Sequence, residues 1–162
     1  RGGAGVAIER GDYDDVGTLR TGSTNTGAIE AGAGTDTLAL EGDILELTTA
    51  QMLGAAHDFE ILNVDAGYWS TSGAVGAFDT VSIGAGAALH INEAAGANPI
   101  GTASVANAGR LVLDFDDDAA LSGFADIAMT GTGAVELVGD AVLTLDTANM
   151  AHSGGTRTAG SS

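Results

Sequence analysis

A unit of short alternating runs closed by glycine constrains this chain more than anything else in it, and the unit is clearest over Thr130–Gly160. Ala134–Val138 and Ala141–Leu145 each place an apolar side chain on every second residue, the period of a strand with one face buried. Gly139-Asp140 separates the two runs. A polar bend with Asn149 and a Ser153-Gly154-Gly155-Thr156 corner follow, and Gly and Asn supply the backbone freedom that sharp corners need. Runs of the same kind recur upstream at Thr35–Gly42, Phe59–Gly67, Thr80–Gly84, Ala87–Asn92 and Arg110–Phe115.

Strand-length runs spaced by about 8–12 residues suit an all-β fold. Three of them make a coil of roughly 20–30 residues, the scale of solenoid repeats. One such coil cannot bury its own apolar face, whereas stacked coils cover each other and pair in parallel. Composition agrees. Only 4% of the residues are aromatic while 26 are glycine, so the core must be a column of thin Val, Leu, Ile and Ala layers. The expectation is therefore a parallel β-solenoid in one segment over residues 1–162, with 1–33 as an irregular or frayed first coil. Thr48 or Thr49 is expected to cap a helical turn carrying Met52 and Leu53, closed by Gly54. Tyr68-Trp69 reads as an aromatic pair in a loop.

Gly131-Thr132-Gly133-Ala134-Val135-Glu136-Leu137, then Leu143-Thr144-Leu145, Asn149 and Ser153-Gly154-Gly155-Thr156, resembles the strand repeat of bacterial autotransporter passenger domains. Looser echoes lie at Gly34–Leu40, Phe59–Gly67 and Phe78–Asn92, and His152 stands where the family usually has Tyr. The resemblance implies a right-handed parallel β-helix exported by type V secretion. It also implies display at the cell surface, attached to the outer membrane through a C-terminal barrel that this sequence does not contain. The implied role is adhesion or self-association in virulence, with a host-cell or bacterial surface protein or glycan as partner. Such scaffolds also carry proteases and toxins, so the motif speaks for architecture more than for activity.

Charge narrows the partners. Asp and Glu total 22 against 5 Arg and no Lys, a net charge of −17. Nucleic acid, anionic membrane surfaces and acidic polysaccharides are repelled by such a field. No apolar run approaches a membrane span, so this segment is not expected to insert. The absence of cysteine agrees with passage through an oxidising compartment without demanding it. Opening on Arg1-Gly2-Gly3, the chain reads as a piece of a longer one.

Five features invite chemistry. Arg10-Gly11-Asp12 is the tripeptide that integrins recognise, although a chain rich in Gly and Asp produces it readily by chance. Asp12, Asp14, Asp15 and Gly17 approximate a calcium loop, but Val16 and Ser23 stand where an EF-hand needs oxygen ligands. Gly32–Leu38 resembles a single copy of a calcium-roll nonapeptide that works in tandem arrays. Asp114, Asp116, Asp117 and Asp118 form the densest acidic run, either a calcium site or a solvated strand end. Tyr68 and Trp69 can stack on a sugar or anchor a protein contact, or one of them can pack inward beneath the other.

Catalytic signatures are missing. His57, His90 and His152 lie far apart, no His-Glu-x-x-His or Gly-x-Ser-x-Gly occurs, and a lysine-free surface suits no pectinolytic enzyme. The sequence thus reads as a non-enzymatic adhesion scaffold needing no cofactor beyond a candidate calcium ion. The alternatives are a passive stalk, a calcium-stiffened giant adhesin or surface-layer segment, and a β-helix enzyme acting on neutral polysaccharides.

Overall fold

The structure, a computed structural model, describes residues 6–24, 27–43, 51–71, 78–92, 100, 104–117, 127–142 and 150–159. Within them lie β1 (Val6–Glu9), β2 (Val16–Arg20), β3 (Ala28–Glu30), β4 (Thr37–Glu41), β5 (Gln51–Leu53), β6 (Ala56–His57), β7 (Ile61–Thr71) and β8 (Thr80–Ile83). The series continues with β9 (Ala87–Asn92), β10 (Ser104–Asn107), β11 (Arg110–Asp114), β12 (Ala128–Gly131), β13 (Ala134–Val138), β14 (Met150–His152) and β15 (Thr156–Ala159). No helix occurs among the described residues.

All pairings are parallel and join equivalent strands of successive coils, which makes the molecule a parallel β-solenoid. One face stacks β2, β4, the first half of β7, β8, β10, β12 and β14; a second stacks β5, the second half of β7, β9, β11, β13 and β15. A third face is formed by β1, β3 and β6. Register is kept over long stretches: Thr80, Ser104 and Ala128 lie in line at intervals of 24 residues. β7 shows how a coil turns its corner. Its Ile61–Val64 half pairs with β4 and β8, its Gly67–Thr71 half with β5 and β9, and a bulge at Asp65 followed by Gly67 (φ 85°) bends the chain between them.

The core is a set of apolar columns running through the coils. Leu38, Leu62, Val81, Val105 and Met129 make one, and Trp69, Leu89, Leu111 and Val135 another, all of them buried. Each full rung stabilises the fold by about 1.5–3 kcal/mol. The corners explain the Gly-x-Gly pattern. Gly131 adopts φ 105°, and a Cβ on Gly133 would run into the Asn107 side chain and the Gly109 carbonyl of the preceding coil. Asn107 fills an inner position below them and donates Nδ2–H to the Ala134 carbonyl at 3.0 Å.

The expected helical turn is instead strand at Gln51–Leu53. Leu53 is buried while Met52 is 58% exposed, the alternation of a strand, because pairing with Trp69–Thr71 overrides local helix preference. The capping candidates Thr48 and Thr49 lie outside the described residues, as do Leu143 and Asn149. Within the segment expected as the first coil, β1 pairs with β3 with a register shift between Val6 and Ile8, β2 pairs with β4 and β3 with β6. Of the run from Ala141 to Leu145 only Ala141 and Val142 are described, and neither is in a strand. The Ser153–Thr156 corner falls between β14 and β15, as its composition predicts.

Candidate binding face

Along the second face the pleat points Trp69, Leu89 and Leu111 inward, so their neighbours point out. Two outer columns result. Tyr68, Ala88, Arg110 and Ala134 lie in one, and Ser70, His90, Val112, Glu136 and Arg157 in the other. Ala88 offers only a methyl group, which lets Arg110 lie over the Tyr68 ring with its guanidinium carbon 5.3 Å from the ring centroid. The same guanidinium reaches Glu136 on the next coil, Nη1 to Oε2 at 3.5 Å.

Tyr68 also stacks on His90, with centroids 6.0 Å apart and planes 27° apart. Its hydroxyl is 3.2 Å from His90 Nδ1, and His90 Nε2 is 3.1 Å from Asp114 Oδ2. A carboxylate only accepts, so Nε2–H donates to Asp114 and Nδ1 of the neutral ring accepts from the Tyr68 O–H. Burial raises the Tyr68 pKa above 10.0; Arg110 opposes the shift while Glu136 and Asp114 add to it. The phenol therefore stays a donor at neutral pH.

Ser70, His90 and Asp114 have the residue types of a nucleophilic relay. Ser70 is only 3% exposed, its Oγ lies 3.5 Å from His90 Nδ1, and the Tyr68 hydroxyl is nearer that nitrogen. Its hydroxyl is closed off from a substrate. The network instead braces three coils and holds Tyr68, His90 and Arg110 still. Charges are also balanced here, Arg110 and Arg157 against Asp114 and Glu136, on a chain of net charge −17.

Of the sequence candidates, Tyr68 belongs to this face. Trp69 does not. Both are strand residues rather than loop residues, and Trp69 points inward at 1% exposure, with Nε1–H donating to the Ala66 carbonyl at 3.0 Å. At Arg10-Gly11-Asp12 the Arg10 guanidinium is drawn back to Asp15 (3.7 Å), Gly11 N–H donates to the same carboxylate, and Asp12 is exposed. The neighbouring acidic groups serve the backbone: Asp14 accepts from Thr35 N–H, Asp36 from Asp15 N–H and Glu60 from Asp36 N–H. In the other acidic run Asp114 turns to His90, Asp116 accepts from Asp140 N–H at 3.2 Å, and Asp118 lies outside the described residues. Among the described residues no three His, Asp or Glu side chains come close enough to hold a metal ion.

Sequence reading missed His90, Arg110 and Glu136 as site residues. Their signal is the coil period: His90 follows Tyr68 by 22 residues and Asp114 follows His90 by 24, so residues distant in sequence are stacked neighbours. Compared with protein-family models, with curated proteins and with solved structures, the chain matches none.

Proposed function

We propose that this chain is a segment of a secreted or surface-displayed autotransporter passenger. In this reading it is a rigid adhesion or self-association scaffold whose contact surface is the outer face of β7, β9, β11 and β13. The observation that carries the reading is the charge-balanced patch of Tyr68, His90 and Arg110 with Glu136. An anionic partner is repelled by a polyanion, and a neutral patch of aromatic and Arg side chains is where its close contact costs least. The Gly131–Leu137 and Ser153–Thr156 motifs, each spanning a coil corner and running into the strand after it, support the passenger assignment.

Beads coated with the purified chain are expected to bind bacterial or epithelial cells, or one another. Arg110→Glu is expected to reduce that binding about tenfold, as for an interface anchor. Arg20→Glu, at an exposed position on β2, is expected to leave it unchanged. Equal losses in the two variants, or none in Arg110→Glu, would refute the assigned face. Beads that bind neither cells nor each other would favour the passive stalk.

A further inference from the structure

Beside this face, between the turn joining β8 to β9 and the turn joining β10 to β11, lies an open groove of about 380 Å³ lined by Ala85, Gly86, Ala87, Ala88, Gly109 and Arg110. Its walls are methyl groups and backbone. Gly109 cannot carry a side chain, because a Cβ would run into the Ala87 and Gly84 carbonyl oxygens. Among the described residues Arg110 is the one charged member of the lining. Its guanidinium lies over the Tyr68 ring and is tethered by Glu136, with the side chain 40% exposed. A fixed planar guanidinium presents paired N–H donors in a set direction.

Charge decides what such a groove can take. Glu136 already offsets Arg110, so an anion would have to compete with that carboxylate for the guanidinium. A neutral polyol is indifferent to that field and uses both halves of the ion pair. Adjacent hydroxyls accept from Arg110 and donate to Glu136 while a C–H face rests on the exposed Ala85–Gly86 turn. The volume is at the small end of the range for ligand sites, about 300–1,000 Å³, the scale of one ring rather than several. We propose that the groove binds one pyranose ring of a neutral glycan. This rests on the contact-face reading and names its ligand class.

The test is an amide-resolved NMR titration of the whole chain with the methyl glycosides of glucose, galactose, mannose and N-acetylglucosamine, and with glucuronate as the anionic probe. At least one neutral glycoside is expected to shift the amides of Ala85–Ala88 and Gly109 and the Arg110 Nε–H, saturating in the millimolar range, and glucuronate to shift none. Ala85→Trp, on an exposed turn, is expected to fill the groove and abolish the shifts with an unchanged melting temperature. Silence from all four glycosides up to their solubility, or stronger binding of glucuronate, would overturn the proposal. Cell binding that is lost in Arg110→Glu, in a chain deaf to every glycoside, would also overturn it and leave the contact face with a protein partner. Glycoside shifts in a chain that binds no cell would uphold the groove and remove the adhesive role.

Discussion

The coil containing β7 and the coil containing β14 and β15 follow the same path but are finished differently. Around β7 the inward positions hold Leu62, Val64 and Trp69, and strands lie on both sides. Two columns reach β15, one through Leu111 and Val135 to Thr156, the other through Leu113 and Leu137 to Thr158. Burial fades along both. Leu113 is buried, Leu137 only partly, and all four residues of β15 are exposed. Thr is β-branched, so it keeps a strand conformation without needing burial. A rung is thus made by its neighbours above and below as much as by its own alternation.

The largest expected contrast follows directly. Trp69→Ala removes the largest fully buried side chain and is expected to cost about 3–5 kcal/mol, whereas Thr156→Ala should stay within about 0.5 kcal/mol. Chemical denaturation followed by circular dichroism measures both. Similar losses at the two sites would mean that the coils are equally consolidated and would break the comparison.

Backbone architecture was legible in the sequence because it depends on local alternation and on corner residues. Leu38 and Leu40, the Thr80–Ile83 strand and the Gly131-x-Gly133 corner are each readable within a few residues. The site was less legible, because its members are brought together by stacking. Nothing local marks Tyr68, His90 and Asp114 as partners; only the coil length does, and it drifts, since Ile61 pairs with Thr80 but Thr80 with Ser104. That drift also hid which member of Tyr68-Trp69 faces out. Gln51–Leu53 misled for a related reason: three residues carry too little pattern to tell a helical turn from a strand until Trp69–Thr71 lies alongside.

The corners sharpen the same comparison on a smaller scale. Gly109→Ala places a methyl against two carbonyl oxygens of the coil below and is expected to cost about 1–3 kcal/mol. At Gly155, on the β14–β15 corner, a Cβ meets nothing, and only the left-handed backbone (φ 80°) opposes Ala, at about 1 kcal/mol. Asn tolerates that conformation, so Gly155→Asn should recover most of the loss while Gly109→Asn recovers none. Thermal melts of the four variants would measure this. Rescue at both positions would mean that the close carbonyl approach at Gly109 does not set the cost there.

The smallest effect concerns the proton on Tyr68. Because burial raises its pKa in the folded protein, the unfolded phenol ionises first, near pH 10.0. The associated stability is fully present below that value and is lost as pH climbs through the higher folded pKa. Tyr68→Phe removes the ionisation, and with it the hydroxyl bond to His90, a net loss of about 1 kcal/mol at neutral pH. The parent should therefore melt above the variant at neutral pH, and the gap should narrow as pH rises from about 9 to about 11. A gap of constant size would show that the phenol is as free to ionise folded as unfolded. The packing of Tyr68 between His90 and Arg110 would then be looser than that of the rungs beneath it.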